Sequence, residues 1–362
     1  MTTIHRIAEQ GQSIWLDFIR RSFLEDGKLN EWMEKGVRGV TSNPSIFQQA
    51  IAEHDEYDEQ IRARVAEGGD AMAIYEALAI KDIQAAADTL RPFYEATHGV
   101  DGYVSLEVSP TLAHDTARTV DDARRLHAAV DRPNLMIKIP ATPAGIPAIE
   151  QTLAAGINVN VTLIFSLRQY EQTAEAYLKA LEHRVAAGQD VRRIASVASF
   201  FVSRVDTAVD QALEQVGHTE HQGYAAVDNA RLAYARFQDI LSGGRWERLT
   251  RAGAHVQRPL WASTGTKNPA YADTLYVDSL IGPDTVNTVP PATLEAVLNH
   301  GETVVSVDRD LENARARMKT LVDVGVDLET ITAKLLDDGV AAFAKAFEGL
   351  LQSVTEKAKR LR

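Results

Sequence analysis

A lysine stands in the middle of a short apolar run at 134–142, NLMIKIPAT. Leu135, Met136, Ile137 and Ile139 surround Lys138, so its amine belongs to a segment that seeks burial. An ammonium group is costly to bury unpaired. Desolvation, or a neighbouring cation, lowers the pKa of an amine and frees its lone pair near neutral pH. A neutral amine at the end of a buried strand attacks a ketone and forms a Schiff base. The plainer reading of one such lysine is a stem laid along the apolar run and a charge that snorkels to water. The residues that accompany Lys138 decide between the two.

Those companions sit at the ends of similar runs. Short apolar or β-branched stretches recur at 13–17, 37–41, 103–107, 135–139, 157–162, 194–199, 259–263 and 284–288. The first closes on Asp17, and the second on Thr41 with Ser42 and Asn43 after it. The third closes on Glu107, and the fifth carries Asn160 and Thr162. The sixth closes on Ser199, ahead of Phe201 and Arg204, and the seventh on Ser263, ahead of Lys267. One amine, two carboxylates, small hydroxyl and amide donors and two cations suit a phosphorylated polyol ketone. The amine makes the imine and a carboxylate moves protons. Amides and hydroxyls grip sugar hydroxyls, and cations hold phosphate.

For these residues to meet, the runs must open on one mouth. Segments with helical spacing separate them, among them 74–90, 167–185 and a third region from 207 to about 241. Strands that alternate with helices imply parallel βαβ units. Eight of them fit a single (β/α)8 TIM barrel spanning 1–362, an α/β fold whose active sites lie at the C-terminal ends of the strands. A doubly wound open sheet competes, and no G-x-G-x-x-G opens a helix to favour it. Two helical segments exceed a minimal barrel: an insertion at about 47–99 and a long C-terminal helix at about 328–362. In the second, Leu328, Ile331, Leu335, Phe343, Phe347, Leu350 and Val354 form one apolar stripe. It reads as a helix packed on the barrel exterior, with a partner-binding helix as the lesser reading.

Composition removes whole classes of chemistry. The chain has no cysteine, which excludes disulfides, thiolate catalysis and Cys-ligated zinc. His114, His127, His221 and His255 lack metal-ligand spacing, so no metal is expected. A net charge of −12 argues against general nucleic-acid binding. It leaves a small anionic substrate open, because local cations and helix N-termini hold one against the global sign. The N-terminus lacks a signal-peptide core, and no stretch approaches the ~20 apolar residues of a membrane span. A cytoplasmic protein with no membrane contact is expected.

Six segments occur in a telling order: VTSNPSIF (40–47), DGYVSLEVSP (101–110), NLMIKIPAT (134–142), INVNVTLIFS (157–166), ASFFVSRVD (198–206) and WASTGTKNP (261–269). Together they resemble the transaldolase family, the Schiff-base enzymes of the non-oxidative pentose phosphate pathway, in its longer bacterial form. The resemblance implies roles position by position. Lys138 matches the Schiff-base lysine, and Asp17 the acid/base that takes the proton of the ketose C4 hydroxyl. Glu107 and Thr162 match the pair that holds a catalytic water. Asn43 and Asn160 match amides that hold substrate hydroxyls and the bound three-carbon fragment, and Ser199 a hydroxyl contact in the same pocket. Arg204 and Ser263 match the phosphate clamp. Shorter transaldolases follow that serine closely with an arginine, whereas here the spacing is longer and the cation is Lys267. A lysine supplies a point charge rather than a bidentate fork.

The implied reaction moves a dihydroxyacetone unit from sedoheptulose 7-phosphate or fructose 6-phosphate to glyceraldehyde 3-phosphate or erythrose 4-phosphate, with no cofactor. The partners are phosphorylated ketoses and aldoses, and a homodimer is the assembly to test. A fructose 6-phosphate aldolase is the nearest alternative. That related family tends to have Gln and Tyr where this chain has Glu107 and Phe201. A catalytically silent sugar-phosphate-binding barrel is the alternative from another class. The tail after Pro291 is too short for the phosphoglucose isomerase fused to some relatives.

Each residue also has a plainer reading. Asp17 suits a helix cap, and Asn43 before Pro44 suits a turn. Glu107 suits a rim ion pair, Thr162 and Ser199 suit strand-end backbone partners, and Lys267 suits a solvated loop.

Overall fold

Eight parallel strands close into a barrel in sequence order in a computed structural model of the chain, which describes residues 1–361. They are β1 (Gln12–Asp17), β2 (Gly39–Thr41), β3 (Val104–Glu107), β4 (Leu135–Pro140), β5 (Val159–Ile164), β6 (Ser196–Phe201), β7 (Arg258–Ala262) and β8 (Thr285–Val289). Each overlaps one of the apolar runs, and β8 pairs back onto β1 to complete the ring. The open sheet is thereby excluded. All six residues of β4, β5 and β6 are buried, as parallel strands covered on both faces require.

Two strands run further than their polar residues suggest. β5 continues past Thr162 to Ile164, and β6 past Ser199 to Phe201, because Leu163, Ile164, Phe200 and Phe201 all bury their side chains. The extension is not regular. The β5–β6 register shifts between Val161 and Ile164, and Leu163 adopts a φ of 59°. Such a bulge re-aims neighbouring side chains at a barrel rim.

The helical region that begins near 207 is two helices, Ser203–Val216 and Ala225–Leu241. Gly217, at φ 80°, ends the first. The insertion at 47–99 contains Asp58–Ala66 and the long Ala71–Ala96 helix, after Pro44–Glu53 has opened it.

The C-terminal helix spans Leu328–Arg360. Its stripe is half-buried at Leu328, Ile331 and Leu335 and buried at Phe343, Phe347, Leu350 and Val354. It packs on the Pro44–Glu53, Ala71–Ala96 and Ser203–Val216 helices, which start near the C-terminal ends of the strands. The helix therefore crosses the mouth of the barrel as well as packing on its outside. Close approach needs Gly339, where a Cβ would lie 2.9 Å from Leu163 Cδ2 and 3.6 Å from Arg204 Nη1.

Candidate active site

Parallel register brings the chemistry of β3, β4 and β5 side by side. Glu107 pairs with Lys138, and Lys138 with Asn160. Lys138 is 5% exposed, so its amine has not snorkelled to water. Nζ donates to the Ser42 carbonyl at 3.2 Å and lies 3.7 Å from Glu107 Oε2. The ring of Phe343, from the C-terminal helix, lies 5.7 Å from Nζ. One backbone carbonyl and one carboxylate at longer range are thin solvation for a buried ammonium.

Both carboxylates are held away from their ordinary state. Burial pushes the Glu107 carboxyl up to about 7, against the opposing pull of Lys138 and with a smaller push from Asp17. Burial also raises Asp17, against the attraction of Lys138 and a hydrogen bond from Thr41. That bond runs from Thr41 Oγ1 to Asp17 Oδ1 at 2.7 Å, and Thr41 Oγ1 in turn meets Thr288 Oγ1 at 2.7 Å. Asp17 ends β1 and caps no helix, because the next helix begins at Arg21 behind Arg20.

A cavity of about 160 Å³ opens above the strand ends. Asp17, Asn43, Lys138, Thr162, Ser199 and Phe201 border it. Arg204, Ser263 and Lys267 border its other side. Two expected site residues lie just outside it. Asn160 is fully buried beside Lys138, where its amide donates to Ser105 Oγ at 3.0 Å and its carbonyl accepts from Ser199 Oγ at 2.6 Å. Glu107 borders a second, smaller cavity on the other side of Ser42 and Asn43.

Several side chains serve structure and site together. Asn43 caps the Pro44–Glu53 helix, accepting from Ile46 N at 3.0 Å, which leaves its amide nitrogen for a ligand. Thr162 Oγ1 and Glu107 Oε2 are both buried without a hydrogen-bond partner among the described residues. Buried polar atoms without partners are rare in folded chains and mark a place for water or ligand.

The far side of the cavity is a cationic corner. The Ser203–Val216 helix begins there with no side-chain cap, and backbone carbonyls take its first N–H groups: Ser203 N donates to Ser263 O at 3.1 Å and Val205 N to Val202 O at 2.9 Å. Arg204 Cζ lies 5.2 Å from the Phe201 ring centroid. Burial alone lowers its pKa, with no carboxylate acting on it. Ser263 holds a left-handed backbone, φ 55°, and its Oγ meets Ser203 Oγ at 2.9 Å. A non-glycine residue in that region is strained, and strain of this kind gathers at ligand sites. Lys267 is exposed at the rim. The arrangement fits an anion at this end and a carbonyl carbon at Lys138.

Thr288 and Phe343 also border the cavity and were absent from the site residues offered by the sequence, and Thr41, which borders it too, was named there only as a run end. The two threonines end the second and eighth runs, so the run-end rule points at them. Phe343 carried no signal beyond its place in the stripe. Elsewhere, His218, Glu220 and His221 come within 4.8 Å of one another, a grouping that the histidine spacing did not suggest. His218 Nδ1 and Glu220 Oε1 are 3.0 Å apart, an approach that a hydrogen bond between exposed side chains accounts for.

Comparison with known proteins follows the same lines. Residues 14–354 match the Transaldolase/Fructose-6-phosphate aldolase family. The chain is 50% identical to a protein named Transaldolase from Thermobifida fusca, over 98% of each chain. It is 50% identical to Transaldolase from Parafrankia sp., over 97% of this chain and 96% of that one. It is 45% identical to Transaldolase 2 from Nostoc punctiforme, over 100% of this chain and 99% of that one.

Proposed function

The chain belongs to the transaldolase/fructose-6-phosphate aldolase family, and from that premise we propose that it is a transaldolase, with Lys138 as its Schiff-base residue. The observation that carries the reading is the buried amine of Lys138, set 3.7 Å from Glu107 inside a barrel mouth that also holds Asp17 and a cationic corner.

Lys138 attacks C2 of fructose 6-phosphate or sedoheptulose 7-phosphate. Glu107, with its proton affinity raised toward neutrality, delivers the proton with which the C2 oxygen leaves as water. Thr162 Oγ1, likewise buried without a partner, shares that water with it. The iminium then serves as an electron sink. Asp17 takes the proton of the C4 hydroxyl, the C3–C4 bond breaks and an aldose phosphate leaves. The three-carbon enamine stays on Lys138 and adds to erythrose 4-phosphate or glyceraldehyde 3-phosphate. Asn43 and Ser199 hold hydroxyls of the sugar and of the fragment, and Asn160 acts through Ser199, whose hydroxyl it orients. Arg204, Ser263 and Lys267 take the phosphate. The chemistry calls for no organic cofactor, because the iminium supplies the electron sink.

We place this activity in the non-oxidative pentose phosphate pathway and in the cytoplasm, in a chain that acts as one barrel domain, with a homodimer as the assembly to test. No helix of the described residues is long and apolar enough to cross a membrane. The deciding assay supplies fructose 6-phosphate with and without erythrose 4-phosphate. A transaldolase forms sedoheptulose 7-phosphate and little free dihydroxyacetone. Release of free dihydroxyacetone at the rate of ketose loss would instead make the chain a fructose 6-phosphate aldolase.

A further inference from the structure

Glu107 stands between two cavities of different size. The larger one, about 160 Å³, is the sugar-sized mouth over Lys138. The smaller one lies behind Glu107 and has about 20 Å³ of room for water centres. A single water needs roughly 10–15 Å³ by that measure, so the rear cavity suits one water and excludes a sugar.

The partition between them is built from few parts. Asn43 borders both cavities. The C-terminal helix contributes Phe343 to the front and Phe347, one turn on, to the rear. The rear walls are Tyr75 and Ala79 from the Ala71–Ala96 helix and Leu126 from the Thr116–Val130 helix. Tyr75 stacks edge-on against Phe47 and Phe347, at 6.0 and 5.5 Å between centroids. The carboxylate of Glu107 acts on the Tyr75 hydroxyl strongly enough to oppose its ionisation, second only to burial.

The outer end is polar and reaches the surface. Glu76 and Asp122 border the cavity there, and Arg125 clasps both, at 2.5 Å from Glu76 Oε1 and 2.6 Å from Asp122 Oδ1. Asp122 Oδ2 also accepts from Ser109 N at 3.0 Å. The side chains of Glu76 and Asp122 keep 21% and 11% exposure. A polar, partly exposed end and a buried carboxyl with an unpartnered oxygen at the other end are the two ends of a water path.

We infer that the rear cavity is the water port of the imine steps. This rests on the reading of Lys138 as the Schiff-base residue. When the Lys138 amine adds to the ketose carbonyl, the C–N bond forms and a proton passes from nitrogen to the C2 oxygen. The C2–O bond then breaks, that oxygen takes the proton of Glu107 and leaves as water, and nitrogen keeps one hydrogen in the iminium. Hydrolysis is the reverse, with the Glu107 carboxylate taking a proton from the attacking water. In both directions the sugar phosphate fills the front cavity. Water therefore passes behind Glu107, while the front stays closed by substrate and Phe343. Separate ports allow the dehydration product to leave without release of the sugar.

The test fills the rear cavity from two helices, with Ala79→Leu on Ala71–Ala96 and Leu126→Phe on Thr116–Val130. Fructose 6-phosphate labelled with ¹⁸O at C2 reports water passage, because each cycle of imine formation and hydrolysis exchanges that oxygen. Addition of erythrose 4-phosphate to a preformed dihydroxyacetone enamine reports carbon–carbon chemistry, which uses no water. In a folded variant with a cooperative melt, the label loss should fall by about ten-fold or more while enamine addition stays within about two-fold. Unchanged label loss in both folded variants overturns the inference. So does an equal fall in both steps, which signals a distorted mouth. If the native enzyme gives neither label loss nor a borohydride-trapped adduct, the Schiff-base reading itself falls, and the port with it.

Discussion

Phe343 and Lys138 are 205 positions apart in the chain, yet the ring of the first lies 5.7 Å from the ammonium of the second. The aromatic face shields the amine from bulk water, and the amine retains the Ser42 carbonyl and Glu107 as its polar neighbours. A nucleophile in that setting is accessible to a ketone through the front cavity and to little else. Incubation with fructose 6-phosphate and borohydride should therefore attach a reduced three-carbon fragment at Lys138 alone. Peptide mapping that places the adduct on Lys267, or finds none, would sink the mechanism.

The carboxyl of Glu107 carries a stability signature. Burial raises its pKa from the ordinary carboxylate value to about 7. The unfolded chain gives up that proton first, so the folded chain binds more protons between the two values. Its contribution to stability is accordingly largest below the ordinary carboxylate range and falls as pH rises to about 7. Glu107→Gln removes the ionisation but keeps the shape. The variant should gain melting temperature relative to the native chain at pH 8 compared with pH 5. An equal difference at both values would show that Glu107 ionises normally.

Arg204 should govern phosphate. It faces the cavity from the start of an uncapped helix, and no carboxylate offsets its charge. Loss of a charge-assisted contact is worth roughly 1.5–3 kcal/mol, or about one to two decades in the Michaelis constant. Arg204→Ala should raise that constant for phosphorylated substrates and leave exchange of dihydroxyacetone much less affected. Lys267→Ala should act in the same direction and more weakly, because the amine is exposed and screened. A Michaelis constant that does not move in Arg204→Ala removes this residue from the site.

The helix across the mouth offers a separate handle. Gly339 admits Leu163 and Arg204 against its backbone, and Leu163 is the residue of the β5 bulge. A valine there overpacks the contact, at a cost of about 1–3 kcal/mol. Gly339→Val should lower the melting temperature and raise the Michaelis constant together, since the displaced helix carries Phe343 and leans on Arg204. A melting loss with unchanged kinetics would show that the helix packs on the barrel without shaping the mouth.

These residues also show what the sequence could reveal. Strand ends were legible because a buried parallel strand must be apolar and its first solvated position must not be. Asp17, Thr41 and Glu107 stood out by that contrast, and Lys138 as a charge in the middle of an apolar run. Strand length was less legible: β5 and β6 stay apolar for two residues beyond Thr162 and Ser199, and β5 also bulges at Leu163, which no sequence pattern announced. Phe343 was hidden because every residue of an apolar stripe looks alike until the partner of each is known. The second cavity behind Glu107 was hidden for a similar reason. It is a gap among Tyr75, Ala79, Leu126 and Phe347, four residues that read simply as core.

The two carboxylates should separate in their effects. Asp17 ends β1 with its oxygen fixed by Thr41, which is itself tied to Thr288 on β8. That orientation suits proton transfer with a substrate hydroxyl in the front cavity. Glu107 faces the amine from the neighbouring strand and borders the rear cavity, a position suited to water and the imine. A positioned acid or base contributes roughly 10²–10⁴-fold. Asp17→Asn should keep Schiff-base formation and cleave the ketose slowly, so the covalent ketose adduct accumulates and is visible by intact-protein mass spectrometry. Glu107→Gln should slow formation and hydrolysis of the imine, so less adduct appears at short times. The chemistry of the two groups is the same, and only their placement differs, so opposite adduct levels isolate placement as the cause. Equal adduct levels with equal rate losses would refute this division of labour while leaving Lys138 as the nucleophile.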